Sequence, residues 1–287
     1  MAIRRLLGGN GPSLSQVAYG SMRLSEAPDR LRPIEVLLRL HDAGIDTHHS
    51  SFEYDSYPLY LDTLKQLSQT SRSVAHIVKL AEPSFDDITF DAGRLVTAVD
   101  DRLAELGTDH IAVVQWMVRT PDPSNETVTL ELLHEQRSEI ASAFDQLKSA
   151  GKVGEFAVFP YTNRFGIAAQ QEISPISLCG YLSLFERDSH ELLATGAPFI
   201  ALRPFAGASP SVESAPEAVN AEADPARRYE AALRYPLLHP SVATTVVSVN
   251  QDHHIDLAIK VAETGHADLT EFEKVSQRVS ERLVDAV

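Results

Sequence analysis

The chain has 287 residues, 44% hydrophobic and 23% charged, a balance that suits one folded unit with a sizeable core. Its formal charge of −15 repels phosphate backbones and anionic membrane surfaces, and no Lys/Arg cluster offsets it locally, so neither nucleic acid nor membrane is expected as a partner. The single cysteine, Cys179, excludes an intrachain disulfide and a cysteine-built metal site, and fits a reducing cytoplasm.

Near the N-terminus, Arg4 and Arg5 are followed by a break at Gly8-Gly9-Asn10-Gly11-Pro12, which leaves no apolar stretch for a signal peptide. No later segment reaches membrane-spanning length. Short apolar runs then alternate with stretches of helical period. The predicted strands are Gln16–Tyr19, Asp46–His49, Ala75–Leu80, His110–Trp116, Val153–Val158, Ile176–Gly180, Phe199–Arg203 and Thr244–Ser248. Eight strand–helix units predict an α/β fold, a single (β/α)₈ TIM barrel over residues 1–287.

The helices carry one apolar face each: Ile34, Leu37, Leu38 and His41; Leu95, Ala98, Val99 and Leu106; Ile140, Ala143, Phe144 and Leu147. A last helix is predicted from Thr270, where Thr270 and Glu273 form a capping-box pattern ahead of Phe272, Val275, Val279 and Leu283. Residues 206–226 are rich in Ala, Ser, Pro and Glu without hydrophobic period, and read either as a lid over the pocket or as a flexible acidic loop.

Several segments in consistent order resemble the aldo-keto reductases: Tyr19-Gly20-Ser21-Met22-Arg23-Leu24, Gly44-Ile45-Asp46-Thr47-His48-His49 through Tyr54, Leu106-Gly107-Thr108-Asp109-His110-Ile111, Pro121-Asp122-Pro123, and Leu147 to Val153. Leu202 to Gly207 and Leu238 to Val242 add weaker matches. The resemblance implies a barrel of the aldo-keto reductase type. It also implies a catalytic tyrosine, a lysine that acidifies it, an aspartate that pairs with the lysine, and a histidine that orients substrate. Tyr54, ten residues after Gly44, falls at the tyrosine and Lys79 at the lysine, whereas His49 replaces the aspartate and Met117 the histidine.

Strand parity places Ile45, Thr47 and His49 on one inward face and Ile111, Val113, Gln115 and Met117 on another. His110 begins its strand at the opposite end of the barrel and cannot stand in for the missing histidine. Without the aspartate, Lys79 is expected to lack a countercharge, a neutral His49 can act as a base, and Tyr54 beside charged Lys79 is expected to be an acidic phenol. Met117 reads as packing.

The same resemblance implies NADPH, held by a Ser-Asn pair, a Gln and a basic residue after the last strand. This chain has Phe159-Pro160, Cys179 and Ser248-Val249-Asn250-Gln251-Asp252-His253-His254 there, with no Lys or Arg in the last stretch. His253 and His254 lack a third ligand at metal-binding spacing, so no metal is expected.

The residues expected at the mouth are Arg23, His49, Tyr54, Lys79, Trp116, Met117, Arg119, Tyr161, Tyr181 and Arg203, a cationic and aromatic pocket for a small molecule. Three functions follow as expectations. The first is a cofactor-independent acid–base enzyme (lyase, dehydratase, isomerase or cyclase) acting on a small anionic or carbonyl metabolite, with Tyr54 as acid, His49 as base, and Lys79 and Arg203 as charge stabilisers. The others are an NADPH-dependent reductase and a non-catalytic ligand-binding barrel.

Overall fold

The computed structural model describes residues 1–174, 176–184, 189–206 and 225–265. Their backbone begins with a short antiparallel hairpin, β1 (Arg4–Leu6) and β2 (Ser13–Ser15). Eight parallel strands follow: β3 (Val17–Gly20), β4 (Thr47–Ser50), β5 (Ala75–Ala81), β6 (Ile111–Met117), β7 (Val153–Val158), β8 (Ser177–Tyr181), β9 (Phe199–Leu202) and β10 (Val242–Val247). They hydrogen-bond in chain order, and β10 closes the barrel on β3 by pairing Thr245, Val246 and Val247 with Val17, Ala18 and Tyr19.

Each barrel strand leads to a helix: α1 (Pro33–Asp42), α2 (Tyr57–Ser68), α3 (Ala92–Leu106), α4 (Glu126–Ser149), α5 (Asn163–Glu172), α6 (His190–Ala194), α7 (Pro225–Arg234) and α8 (Asp252–Thr264). The (β/α)₈ barrel expected from the sequence is the fold observed, and the strand limits agree within one or two residues. Among the described residues no helix is long and apolar enough to cross a membrane.

Alternation along the strands separates two cores. Tyr19, Trp116 and Phe156 face outward into the helix layer, where Trp116 meets Phe144 edge-on with ring centroids 5.2 Å apart. The barrel interior takes smaller residues, including Ala18, Ala157 and Cys179, as its narrow bore requires. The inward face predicted for Val113 and Met117 is the one found, while Ile45 and Ile111 belong instead to the helix-layer core. Ile45 precedes β4 and Ile111 is the first residue of β6, so neither is governed by the alternation of a strand interior.

The hairpin plugs the N-terminal end of the barrel. Leu7 and Leu14 are fully buried within the interior cluster, and the Ser15 amide donates to Thr47 Oγ1 at 2.9 Å. Its turn needs glycine, because a Cβ on Gly11 would lie 1.9 Å from the Leu7 carbonyl oxygen. With one end sealed, the C-terminal ends of the strands form the accessible mouth. The helix predicted from Thr270 lies outside the described residues, as does 207–224 of the predicted loop, whose last two residues instead start α7.

Candidate functional site

The loop from Ser51 to Ser56 joins β4 to α2 and is tied down at several points. Tyr54 N donates to Ser51 O at 3.1 Å, Tyr57 N to Tyr54 O at 2.8 Å, and Ser56 Oγ to Ser21 O at 2.8 Å. This sets Tyr54 at the mouth with its ring 6.3 Å from that of His49. Lys79, on β5, places its Nζ 5.5 Å from the centre of the Tyr54 ring.

The carboxylate next to Tyr54 organises the cations. Glu53 Oε2 accepts from Lys79 Nζ at 2.7 Å, and Glu53 Oε1 accepts from Arg119 Nη1. Arg119 Nε donates to the Tyr161 hydroxyl at 2.8 Å, and its guanidinium lies 4.9 Å from the centre of the Phe85 ring. Lys79 therefore has a countercharge, contrary to the expectation drawn from the loss of aspartate at position 49. It comes from the loop rather than from the strand.

Burial alone would raise the Glu53 pKa, but the hydrogen bond and charge of Lys79, with the charge of Arg119, overcome it and hold the carboxyl below its ordinary value. Tyr54 goes the other way from the acidic phenol expected. Burial is the main cause of its raised pKa, with Cys179, Glu53 and Tyr181 adding to it and Arg119 only partly opposing. Tyr54 is thus held protonated at neutral pH and acts as a hydrogen-bond donor rather than as a phenolate.

His49 is 5% exposed and its Nε2 lies 2.7 Å from Gln115 Oε1. An amide oxygen only accepts, so Nε2 carries the proton and Nδ1 the lone pair. Burial lowers the His49 pKa to about 4; the Gln115 hydrogen bond opposes this and the Lys79 charge reinforces it. The imidazole is neutral, as expected, but weakly basic. Gln115 also reaches Met117 Sδ at 3.9 Å, and Met117 is a buried wall of the interior.

The other predicted residues divide. Tyr161 and Tyr181 are at the mouth, both in edge-on contact with Phe159 at 5.8 and 5.2 Å. Arg203 lies over Tyr181 with its guanidinium carbon 4.6 Å from the ring centre, and has a left-handed φ of 56°. Arg119 shares the Glu53 carboxylate with Lys79. Arg23 is exposed on the turn after β3, where its carbonyl accepts from Asn250 Nδ2 at 3.4 Å. Trp116 is not at the mouth: fully buried among helix-layer aromatics, it donates from Nε1 to Glu82 O at 2.7 Å. The parity that turns Gln115 and Met117 inward turns Trp116 outward.

Glu53, Gln115 and Phe85 were absent from the sequence-derived set. Gln115 was legible from the inward face it shares with Met117, whereas nothing in the spacing links Glu53 to Arg119, 66 residues away.

At the positions where the resemblance calls for groups that bind the nicotinamide amide of NADPH, the side chains present do not fit it. Phe159 is buried with its ring edge-on to Tyr161 and Tyr181, and Cys179 is fully buried, its thiol pKa raised by desolvation. Neither Phe159 nor Pro160 offers a side-chain hydrogen bond to an amide. The stretch after β10 does gain a cation from elsewhere, since Arg30 Nη1 donates to Asn250 Oδ1 at 2.7 Å. Among the described residues no group of three or more His, Cys, Asp or Glu could hold a metal ion.

No family model and no curated protein sequence matches the chain. Solved structures do. The holo form of the aldo-keto reductase AKR11C1 from Bacillus halodurans is similar at 19% identity, with 92% of this chain and 91% of that one covered and a TM-score of 0.71. A Pseudomonas aeruginosa protein described as an aldo-keto reductase gives 19% identity, coverage of 91% and 94%, and a TM-score of 0.66. The thermostable aldo-keto reductase Tm1743, in complex with the inhibitor epalrestat, gives 16%, 90% and 93%, and 0.66.

Proposed function

Because the chain carries the aldo-keto reductase fold, we propose that it is an enzyme that uses the barrel mouth for acid–base chemistry without a dinucleotide, as a lyase, dehydratase, isomerase or cyclase. Its substrate is a small anionic or carbonyl metabolite. The observation that carries this reading is the pairing of a protonated, half-buried Tyr54 with a neutral His49 whose rings lie 6.3 Å apart. A hydroxyl that keeps its proton beside a nitrogen that stays unprotonated supplies the hydrogen-bond donor and the proton acceptor that abstraction next to a carbonyl requires.

The Tyr54 hydroxyl donates a hydrogen bond to a substrate carbonyl oxygen, polarising it and stabilising the enolate that forms. His49 Nδ1 takes a proton from the adjacent carbon, which the polarised carbonyl has acidified enough for a weak base to remove. Lys79 and Arg119, gathered beside Tyr54, stabilise negative charge on the substrate during the transfer. The reading gains support from Phe159, which sets an apolar ring where the resemblance calls for a group that binds an amide.

Incubation of the protein in D₂O with a pool of small carbonyl metabolites tests it. The expected result is deuterium incorporation at carbon without NADPH, lost in Tyr54→Phe; an absence of exchange from every candidate contradicts it. NADPH-dependent reduction is the second reading, and one observation favours it: Glu53 supplies Lys79 with the carboxylate partner that such a reductase uses.

A further inference from the structure

We infer that Lys79 and Arg119 form a seat for the carboxylate of an amphiphilic substrate, and that Glu53 fills this seat until the substrate displaces it. The inference rests on the mouth being the reaction site proposed above and narrows the substrate to a monocarboxylic acid with an apolar body.

Glu53 is bound as a free carboxylate would be, with one oxygen on an ammonium and the other on a guanidinium. The two cations are built in, with side chains 15% and 9% exposed, whereas Glu53 is 28% exposed on a surface loop and regains full hydration when it leaves them. Arg119 is preorganised by the Tyr161 hydroxyl and the Phe85 ring, neither of which depends on Glu53. One carboxylate facing two cations leaves this trio net positive in a chain of charge −15, so the seat attracts an anion that the rest of the molecule repels.

The surroundings specify the rest of the ligand. Met22, Phe85, Ile88, Tyr161 and Tyr181 are large apolar or aromatic side chains left exposed on the loops after β3, β5 and β7 and at the end of β8, all on the mouth side. An apolar body resting on this rim while its carboxylate meets Lys79 and Arg119 lies against Tyr54, whose ring is 5.5 Å from Lys79 Nζ.

Calorimetric titration with phenylacetate, and with phenylacetamide as the uncharged control, tests the seat. Glu53→Gln is expected to bind phenylacetate about tenfold more tightly than the natural chain, because no internal carboxylate has to be displaced. Phenylacetamide should show no gain, and Lys79→Met in the Glu53→Gln background should abolish it. Asp55→Asn removes the same charge from the same loop and should leave the affinity unchanged; an equal gain there reduces the effect to a general field and overturns the inference.

In the natural chain, saturating phenylacetate should speed hydrogen exchange of the amides at 51–56 as Glu53 is released. Unchanged exchange at saturation, or no phenylacetate binding at all, overturns the inference even if Glu53→Gln does not fold. The readout is binding, so failure of the proposed reaction leaves it standing: phenylacetate binding with loop release but no deuterium exchange in any substrate would retain the seat and discard the acid–base chemistry.

Discussion

Several histidines are buried where protonation is costly. His48, on β4, has Nε2 3.1 Å from His41 Nε2 and Nδ1 3.0 Å from the Tyr60 hydroxyl; burial, then the charges of His41 and His76, lower its pKa well below the ordinary range. His76 is lowered to about 4, by burial first and His41 second, and His49 to about 4 by burial first. In the unfolded chain each returns to about 6.5 and binds a proton that the folded form refuses. The unfolded state therefore holds more protons, so stability falls as pH drops from about 6.5 toward about 4, by on the order of 2–3 kcal/mol for His76 and for His49, and His48 acts in the same direction. Urea unfolding at pH 7 and pH 5 checks this. A marked loss at pH 5, smaller in His76→Leu, is expected; equal stability at both pH values contradicts it. At this scale Tyr54 and Lys79 were singled out by the resemblance, each through a local landmark, Gly44 for the tyrosine and strand β5 for the lysine, while the environment that sets their protonation was not legible. Glu53 and Arg119 meet only through the closed barrel.

At the scale of elements, the eight strands were readable because each is a short apolar run bounded by turn residues. The hairpin of β1 and β2 was not. It has only three residues per strand, an exposed alternation on Arg4–Leu6, and a turn that reads simply as a break. Its importance lies in Leu14, fully buried in the barrel interior with Ala18 and Ile77. Leu14→Ala leaves a void that the closed barrel cannot collapse around, and is expected to cost about 2–5 kcal/mol by urea unfolding. A loss below about 1 kcal/mol would mean that the hairpin rests on the barrel without sealing it.

The whole molecule joins a negatively charged chain to a mouth where Lys79, Arg119 and Arg203 gather with aromatic rings. Barrel folds place chemistry at this end and serve many reactions through their loops, so the scaffold does not choose between reduction and acid–base conversion. Phe159, Cys179 and the neutral pair of Tyr54 and His49 favour the second. NADPH titration followed by fluorescence quenching is the most direct test of that central claim. The prediction is no saturable binding in the low micromolar range. Binding in that range, with NADPH consumed in the presence of a carbonyl substrate and consumption lost in Tyr54→Phe, would contradict it.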